Sequence, residues 1–246
     1  MFFFFFSAHG RLLDNYHHIK KVSADSELSK KFSAEKVVDS LATSAWCEGV
    51  NGSGKGQKIK FEFTHAVPLK RIEILNGYFR SSEVGDDLWV ANSRVKKLKV
   101  YVESSDPSEW SLIDSFRQLT TTEDYDYRYH FVNKIEFGVA PITSKVEFEI
   151  IDTYKGKTFD DTCISEIVFY SDSSVLKRYA DDILSSQKNP TALDKVMAEI
   201  KRKKLDFNDI ATFFGNYNRH VLEASRLLNK YGIKEISPTY VDPEDF

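Results

Sequence analysis

The chain of 246 residues has only two cysteines, Cys47 and Cys163. Two are too few for a disulfide framework or for a zinc site with four thiolates. They could form one bridge or remain two free thiols, and the sequence leaves both open. Basic residues are not in excess either, because the net charge is −3 and the pI is near 6.1. Phosphate recognition needs a concentrated basic face, so nucleic acid is not an expected partner.

Long apolar runs are also missing, since a transmembrane helix needs ~20 apolar residues in a row. The first ten residues contain five phenylalanines but stop at Ala8-His9-Gly10. They resemble the apolar part and cleavage pattern of a secretory signal without its basic start. The alternative is a tail with no targeting role. We expect residues 1–21 to be an N-terminal segment that includes the remnant of such a signal, and the protein to be exported.

Motifs for catalysis are absent as well. The six histidines include no His-Glu-x-x-His zinc motif. The glycine-rich segment 52–56 lacks the Lys-Ser/Thr ending of a phosphate-binding loop and precedes a strand, so it is interpreted as a turn. Asp160 and Asp161 are adjacent and would face opposite ways on a strand, unlike the paired carboxylates of a glycosidase. We therefore expect no enzymatic activity.

What the chain does have is alternation of apolar and charged residues at the two-residue period of a half-buried strand. The alternating segments are 57–63, 71–74, 97–103, 134–137 and 145–151. Short strands with one wet face predict antiparallel sheets packed as a sandwich. The long polar connections are 47–56, 76–93, 104–109 and 152–163. Loops of this length often carry function.

After Tyr170 the apolar residues recur at helical spacing instead. One predicted helix contains Val175 and Leu184, a second begins at a capping box led by Thr191, and a third covers 221–228. The basic run 201–204 is predicted to complement the C-terminal end of the second helix. A nucleic-acid or membrane patch is the alternative for that run.

Six ordered motifs carry a resemblance to a known family. They are Val22 to Leu28, Asp39 to Trp46, Gly52-Ser-Gly-Lys-Gly56, Asn76-Gly-Tyr78, Asn92-Ser-Arg94 and Asp160-Asp-Thr-Cys-Ile-Ser-Glu-Ile167. Together they resemble the discoidin-type, galactose-binding-like β-sandwich, and more narrowly the glycan-binding translocation domain found beside bacterial NAD glycohydrolases. The resemblance covers 22–171 and leaves 172–246 as an α-helical C-terminal region. It implies a mainly β jelly-roll sandwich that binds carbohydrate through loops at one end.

The same resemblance implies a structural calcium ion, held by a loop Asp, a nearby hydroxyl and a Glu of the last strand. The matching positions are Asp39, Ser44 and Glu166, and calcium prefers six to eight oxygen ligands. The family loop normally has glycine where this chain has Ser40, which lacks glycine's backbone freedom. In the alternative, Asp39 only caps a turn and Glu166 forms a salt bridge.

The 76–94 segment supplies the candidate ligand residues. The glycan-binding set is Tyr78, Arg80, Trp89, Asn92 and Arg94. A sugar site needs an aromatic face and a few placed polar groups, and Arg and Asn provide donors in fixed geometry. In the alternative, Tyr78 and Trp89 close the end of the sandwich and Arg94 pairs with Asp86 or Asp87. Tyr154 and Lys155 form a second candidate wall.

These observations predict an exported, non-catalytic module, secreted, periplasmic or on the cell surface, whose partner is a glycan or glycoconjugate. An adhesion or protein-interaction module on the same scaffold is the alternative, because a fold does not fix a function. The C-terminal helices are the expected contact for any protein partner. Neither nucleic acid nor a membrane span is expected.

Overall fold

A computed structural model describes residues 11–12, 18–80, 87–103, 106–112, 132–186 and 189–214. The chain divides into two compact units, Met1–Ser171 and Asp172–Phe246. The signal-like residues 1–10 and the predicted third helix at 221–228 lie outside the described residues. Among the described residues, no helix is long and apolar enough to cross a membrane.

The first unit is built from strands. They are β1 (Arg11–Leu12), β2 (Ile19–Ala24), β3 (Trp46–Cys47), β4 (Lys58–Asn76), β5 (Ser93–Val102), β6 (Ser108–Ser111), β7 (Val132–Glu136), β8 (Ile142–Tyr154) and β9 (Thr162–Ser171). Two 3₁₀ turns, Lys30–Phe32 and Ala34–Val38, and one short helix, α1 (Leu88–Ala91), lie in the connections. The predicted mainly β sandwich with C-terminal helices is confirmed.

Strand β4 belongs to both layers of the sandwich. Its first half pairs with β2 and β8, and its second half pairs with β7 and β9, with register shifts between Glu62 and Val67. Strand β8 continues to β5 and β6, whereas β9 continues to β1 and β3. The sequence pattern had predicted two separate strands at 57–63 and 71–74. That was wrong, because the intervening residues keep extended pairing while the chain crosses between layers.

The alternating residues meet between the two layers. Phe61 and Phe63 of β4 contact Phe169 of β9 at ring-centroid distances of 4.9 Å and 5.1 Å. Phe148 of β8 completes the group, 5.7 Å from Phe61. Each fully buried side chain of this size contributes roughly 1.5 to 3 kcal/mol of transfer free energy. The apolar face of each strand therefore explains the layering.

Strand direction puts the long connections at one end of the sandwich. The pairs Lys58↔Glu149, Asn76↔Ile164 and Ser93↔Thr162 lie at this end. The pair Leu69↔Ser171 lies at the opposite end. The loops 25–57 and 155–161 and the described parts of the 77–92 connection consequently meet at one end, which we call the loop end.

The second unit contains α2 (Ser173–Ser186), α3 (Pro190–Lys203) and α4 (Phe207–Ala211). The N-cap of α3 is Asn189, whose side chain accepts the N–H of Ala192, with proline in the first turn. The predicted Thr191 cap was therefore wrong, because Asn189 already satisfies the orphan donor. In the basic run at the end of α3, Lys203 pairs with Glu199 at 2.8 Å.

Candidate functional site

The loop end is held together by a disulfide. Cys47 and Cys163 face each other in the register of β3 and β9, and their sulfurs are bonded across 116 residues of sequence. The backbone carbonyl of Cys163 accepts the N–H of Gly77 at 3.1 Å. The bridge therefore anchors the start of the 77–92 loop as well as the two strands.

Beside the bridge lies a fully buried carboxylate, Glu48. Its Oε2 accepts the N–H of Val50 at 2.9 Å, and its Oε1 accepts the N–H of Thr162 at 3.1 Å. Burial raises the pKa of Glu48, and these two donors oppose the rise. Gly54 has φ +67°, and a Cβ there would lie 2.4 Å from Cγ of Glu48. Glycine is needed at this position so that the loop can wrap the carboxylate.

Two predicted ligand residues, Tyr78 and Trp89, are buried. Tyr78 packs with the two bridged cysteines and makes an edge contact with Phe32 at 5.6 Å. Trp89 donates from Nε1 to the carbonyl of Asn76 at 2.9 Å. In the structure both rings thus help to close the end of the sandwich.

Arg94 and Asn92 are also buried, and both stabilise the short helix α1. Arg94 stacks over the Trp89 ring at 4.1 Å, and its Nη1 donates to the carbonyls of Trp89 and Asn92 at 2.7 Å and 3.0 Å. The side-chain amide of Asn92 donates to the carbonyl of Leu88 at 2.8 Å. The structure therefore brings these predicted residues together as a framework beneath the surface.

Arg80 is the member of the predicted glycan-binding set that is exposed. Its carbonyl accepts the N–H of Leu88 at the start of α1 at 2.9 Å. The other end of α1 receives the 155–161 loop, because the carbonyl of Ala91 accepts the N–H groups of Thr158 and Phe159 at 3.0 Å and 2.8 Å. Helix α1 thus connects two surface segments, one with Arg80 and one with Phe159.

Phe159 is 44% exposed, although it is a large aromatic residue. Lys155 and Lys157 are exposed in the same loop, and Tyr154 at its base is partly buried, with its hydroxyl donating to the carbonyl of Leu112 at 3.0 Å. An accessible ring in a loop with exposed charged side chains has the composition of a site for a polar ligand with one apolar face.

The predicted calcium ligands also come together at this end. The hydroxyl of Ser44 donates to the Asp39 carboxylate at 2.7 Å, and Asp39 accepts the N–H of Leu41 at 3.0 Å. Lys36 lies 3.4 Å from the same carboxylate. Ser40 has φ +62°, so this serine adopts the left-handed conformation that favours glycine. Asp39 does cap its turn, as the alternative interpretation expected.

Glu166 faces this turn from β9, with an unsatisfied oxygen. Its Oε2 is buried and has no hydrogen-bond partner among the described residues. Burial, and then the charge of Asp39, raise the pKa of Glu166 to about 9, while the backbone N–H groups of Ser40 and Leu41 act in the opposite direction. An orphaned buried carboxylate oxygen needs a proton or a cation.

The donor set fits a hard cation in its chemistry. Asp39 and Glu166 would each offer carboxylate oxygens and Ser44 a hydroxyl, which are the ligand types that calcium prefers. Within the described residues there is no group of three or more His, Cys, Asp or Glu side chains that could hold a metal. The remaining ligands would therefore be backbone oxygens or water.

Residues 14–170 match a family model described as the NAD glycohydrolase translocation F5/8 type C domain. The chain belongs to this family. The predicted resemblance is thereby confirmed. No curated protein sequence matches the chain.

Solved structures with a similar fold include carbohydrate-binding modules. One is the family 32 module of NanJ from Clostridium perfringens in complex with galactose, which has 14% identity and a TM-score of 0.46 over 66% of this chain and 99% of that chain. Another is the third family 32 module of a family 31 glycoside hydrolase from the same organism, which has 18% identity and a TM-score of 0.47 over 65% of this chain and 94% of that chain. A chitosan-binding module from Paenibacillus sp. IK-5 gives 17% identity and a TM-score of 0.39 over 63% of this chain and 100% of that chain. These values carry no conclusion about the ligand of this chain.

Two residues at the site of this translocation-family domain had no clear signal in the sequence. Glu48 is a single charged residue in a polar loop, and its burial depends on the fold of segment 49–54 around it. Phe159 lies in a loop that was predicted to contribute Tyr154 and Lys155 instead. An aromatic residue between charged neighbours in a long connection is the signal that could have identified it.

Proposed function

We propose that this protein is an exported, non-catalytic module that binds a glycan or glycoconjugate at the loop end of its sandwich. The observation that carries the proposal is the exposed ring of Phe159, connected through α1 to the exposed cation of Arg80. A pyranose ring presents an apolar face and polar edges, so it pairs with one aromatic ring and a few directional donors.

The buried predicted residues take a supporting role in this proposal. Trp89 and Arg94 stack on each other and donate to backbone carbonyls of the 76–92 segment. A rigid support reduces the entropy that a loop loses when its ligand binds. We propose that Tyr78, Trp89, Asn92 and Arg94 affect binding through the conformation of this surface, and that Arg80 and Phe159 make the contact.

Membership in a translocation-domain family supports the non-catalytic part of the proposal. The disulfide between Cys47 and Cys163 supports export, because disulfides persist in oxidising compartments. An adhesion module that recognises a protein is the alternative. Binding to sugars without binding to proteins would favour the first function, and the reverse would favour the second.

We also propose that Asp39, Ser44 and Glu166 hold a structural calcium ion between the 39–44 turn and β9. The buried, unpartnered Oε2 of Glu166 supports this proposal. When bound, the ion would neutralise the two carboxylates and fix the 39–44 turn against β9. The test is a thermal melt of the full chain with calcium and with chelator, in which the unchanged chain should melt at a higher temperature with calcium.

Binding is tested with a matched pair of variants of the full chain. Phe159→Ala removes the exposed ring at the loop end. The control, Val139→Ala, removes an apolar side chain that is 88% exposed. Val139 lies at the opposite end of the sandwich, close in sequence to Pro141, whose carbonyl accepts the N–H of Leu69. On an immobilised glycan selected from a sugar panel, we expect Phe159→Ala to weaken binding about tenfold or more and Val139→Ala to leave it unchanged. Equal affinity of the two folded variants would contradict the proposed site.

A further inference from the structure

Two Asn-Gly pairs, Asn51-Gly52 and Asn76-Gly77, occur at the loop end. In such a pair the backbone nitrogen of glycine can reach the side-chain carbonyl carbon of asparagine, because glycine has no Cβ to obstruct the approach. The two pairs have the same chemistry but different surroundings. They therefore form a natural comparison within one molecule.

The pair Asn76-Gly77 is fixed on both sides. Nδ2 of Asn76 donates to the carbonyl of Val95 at 2.7 Å, and Oδ1 accepts the N–H of Val95 at 3.0 Å. The N–H of Gly77 donates to the carbonyl of Cys163 at 3.1 Å. The attacking nitrogen and the reacting side chain are thus both held in other bonds.

The pair Asn51-Gly52 is open. Both residues are exposed, and a Cβ at Gly52 would meet no atom within 4 Å. Within the described part of the chain, the N–H of Gly52 and the side chain of Asn51 make no hydrogen bond. Gly52 also has φ +98°, a conformation that other residues rarely adopt.

We propose that Asn51 is a site of spontaneous deamidation in the folded protein, whereas Asn76 is protected. The backbone nitrogen of Gly52 gives up its proton and attacks Cγ of Asn51. The new N–Cγ bond forms, the Cγ–Nδ2 bond breaks, and the side-chain nitrogen takes up a proton and leaves as ammonia, which gives a succinimide. Water then opens the ring at either carbonyl, which produces aspartate or isoaspartate. Water is the only co-reactant, and no atom is oxidised or reduced.

The product alters the loop that encloses Glu48. Deamidation adds a carboxylate one residue from Val50, whose N–H donates to Glu48 at 2.9 Å. Isoaspartate also inserts a methylene into the backbone of the 49–54 segment. Both changes disfavour the wrapped conformation, through like-charge repulsion and through altered chain length. The modification would therefore loosen the loop end as the protein ages, whatever ligand this end binds.

The test is incubation of the full, disulfide-bonded chain in mildly alkaline buffer, followed by peptide mapping with mass spectrometry. We expect conversion at Asn51 to be at least about tenfold faster than at Asn76, because reaction at Asn76 must await local opening. In denaturant the two sites should convert at similar rates. Asn51→Gln is the matched variant, since it keeps the amide but disfavours ring closure, and it should lose the product peptide.

Equal rates at Asn51 and Asn76 in the folded chain would overturn the proposal. So would an Asn51 that converts in denaturant but not in the folded chain, because the turn would then be protective. Hydrogen exchange gives a second measurement. The amide of Val50 should exchange faster in the converted protein than in fresh protein, and unchanged exchange would refute the proposed effect on the loop.

Discussion

Glu48, next to β9, and Glu166, within β9, show how differently one sandwich can accommodate a carboxylate. Glu48 is fully buried, and each of its oxygens accepts a backbone N–H. Glu166 is partly buried, but its Oε2 is fully buried and has no partner among the described residues, and the charge of Asp39 acts on it. Glu48 fastens a loop, whereas Glu166 requires a proton or a cation.

The pKa values of Glu48 and Glu166 are shifted by different groups around each carboxylate. Burial raises the pKa of both groups, but backbone donors are the next largest influence at Glu48 and oppose the shift. At Glu166 the next largest influence is Asp39, which adds to the shift and brings the pKa to about 9. Satisfaction by fixed N–H dipoles favours an anion, while a second carboxylate favours a proton or a cation.

The largest loss of stability should come from removing the disulfide that joins β3 to β9. Cys47→Ala with Cys163→Ala should lower the free energy of unfolding by about 4 to 5 kcal/mol, because the closed loop is long. The sequence separation is 116 residues. Urea denaturation of the double variant and of the unchanged chain measures the difference. A loss below about 1 kcal/mol would show that the bridge does not constrain the unfolded chain.

Truncation of Glu48 should be the next most damaging change. Glu48→Ala leaves the buried N–H of Thr162 without an acceptor, at a cost of about 1 to 3 kcal/mol, and also removes the acceptor of Val50, whose N–H is partly accessible to water. Glu48→Gln retains one acceptor oxygen and should cost less. Chemical denaturation of both variants ranks them, and equal stability of Glu48→Ala and the unchanged chain would contradict the fastening role.

Glu166→Gln, unlike Glu48→Ala, should change the response to calcium more than the stability without calcium. Burial and the charge of Asp39 raise the pKa of Glu166 to about 9, so the carboxyl is protonated and neutral in chelator near pH 7, and we expect little loss of stability there. In calcium, the unchanged chain should gain about 2.7 kcal/mol at a concentration a hundred times the Kd, and Glu166→Gln should gain nothing. Thermal melts report both, with Glu48→Gln as the control that keeps its calcium response. If calcium does not change the melting temperature of the unchanged chain, the proposed calcium site is wrong.

The smallest expected effect is a pH dependence at Glu48. Burial raises its pKa above the ordinary value of 4.5, so the folded state binds the proton more tightly than the unfolded state. The stability that this residue contributes is complete below that value and is lost as the pH rises through the raised pKa. Urea denaturation from about pH 4 to pH 7 should show the unchanged chain losing stability relative to Glu48→Gln. A relative gain with rising pH would contradict the sign.

The strands and the meeting of Asp39, Ser44 and Glu166 could be anticipated from the sequence. Alternation in segments such as 145–151 reports one apolar face directly, and the family resemblance paired the 39–44 loop with the last strand. The sequence left open whether Trp89 binds a ligand or closes the end of the sandwich, and it did not predict the stacking with Arg94, because both depend on the close approach that Gly77 permits. A Cβ on Gly77 would lie 2.5 Å from Trp89.

The disulfide was undecided for a similar reason. Cysteine spacing does not report distance in the fold, whereas the register of β3 on β9 places Cys47 opposite Cys163. Glu48 was missed because a lone glutamate in a glycine-rich loop has the same pattern whether the loop wraps it or leaves it in water.

The most direct test of the proposed function is a glycan array probed with the full, disulfide-bonded chain, once in calcium and once in chelator. We predict saturable binding to a chemically related set of sugars, with weaker binding in chelator because the 39–44 turn loses its ion. A folded protein that binds no sugar on the array in calcium would contradict the assignment of the loop end as a carbohydrate site.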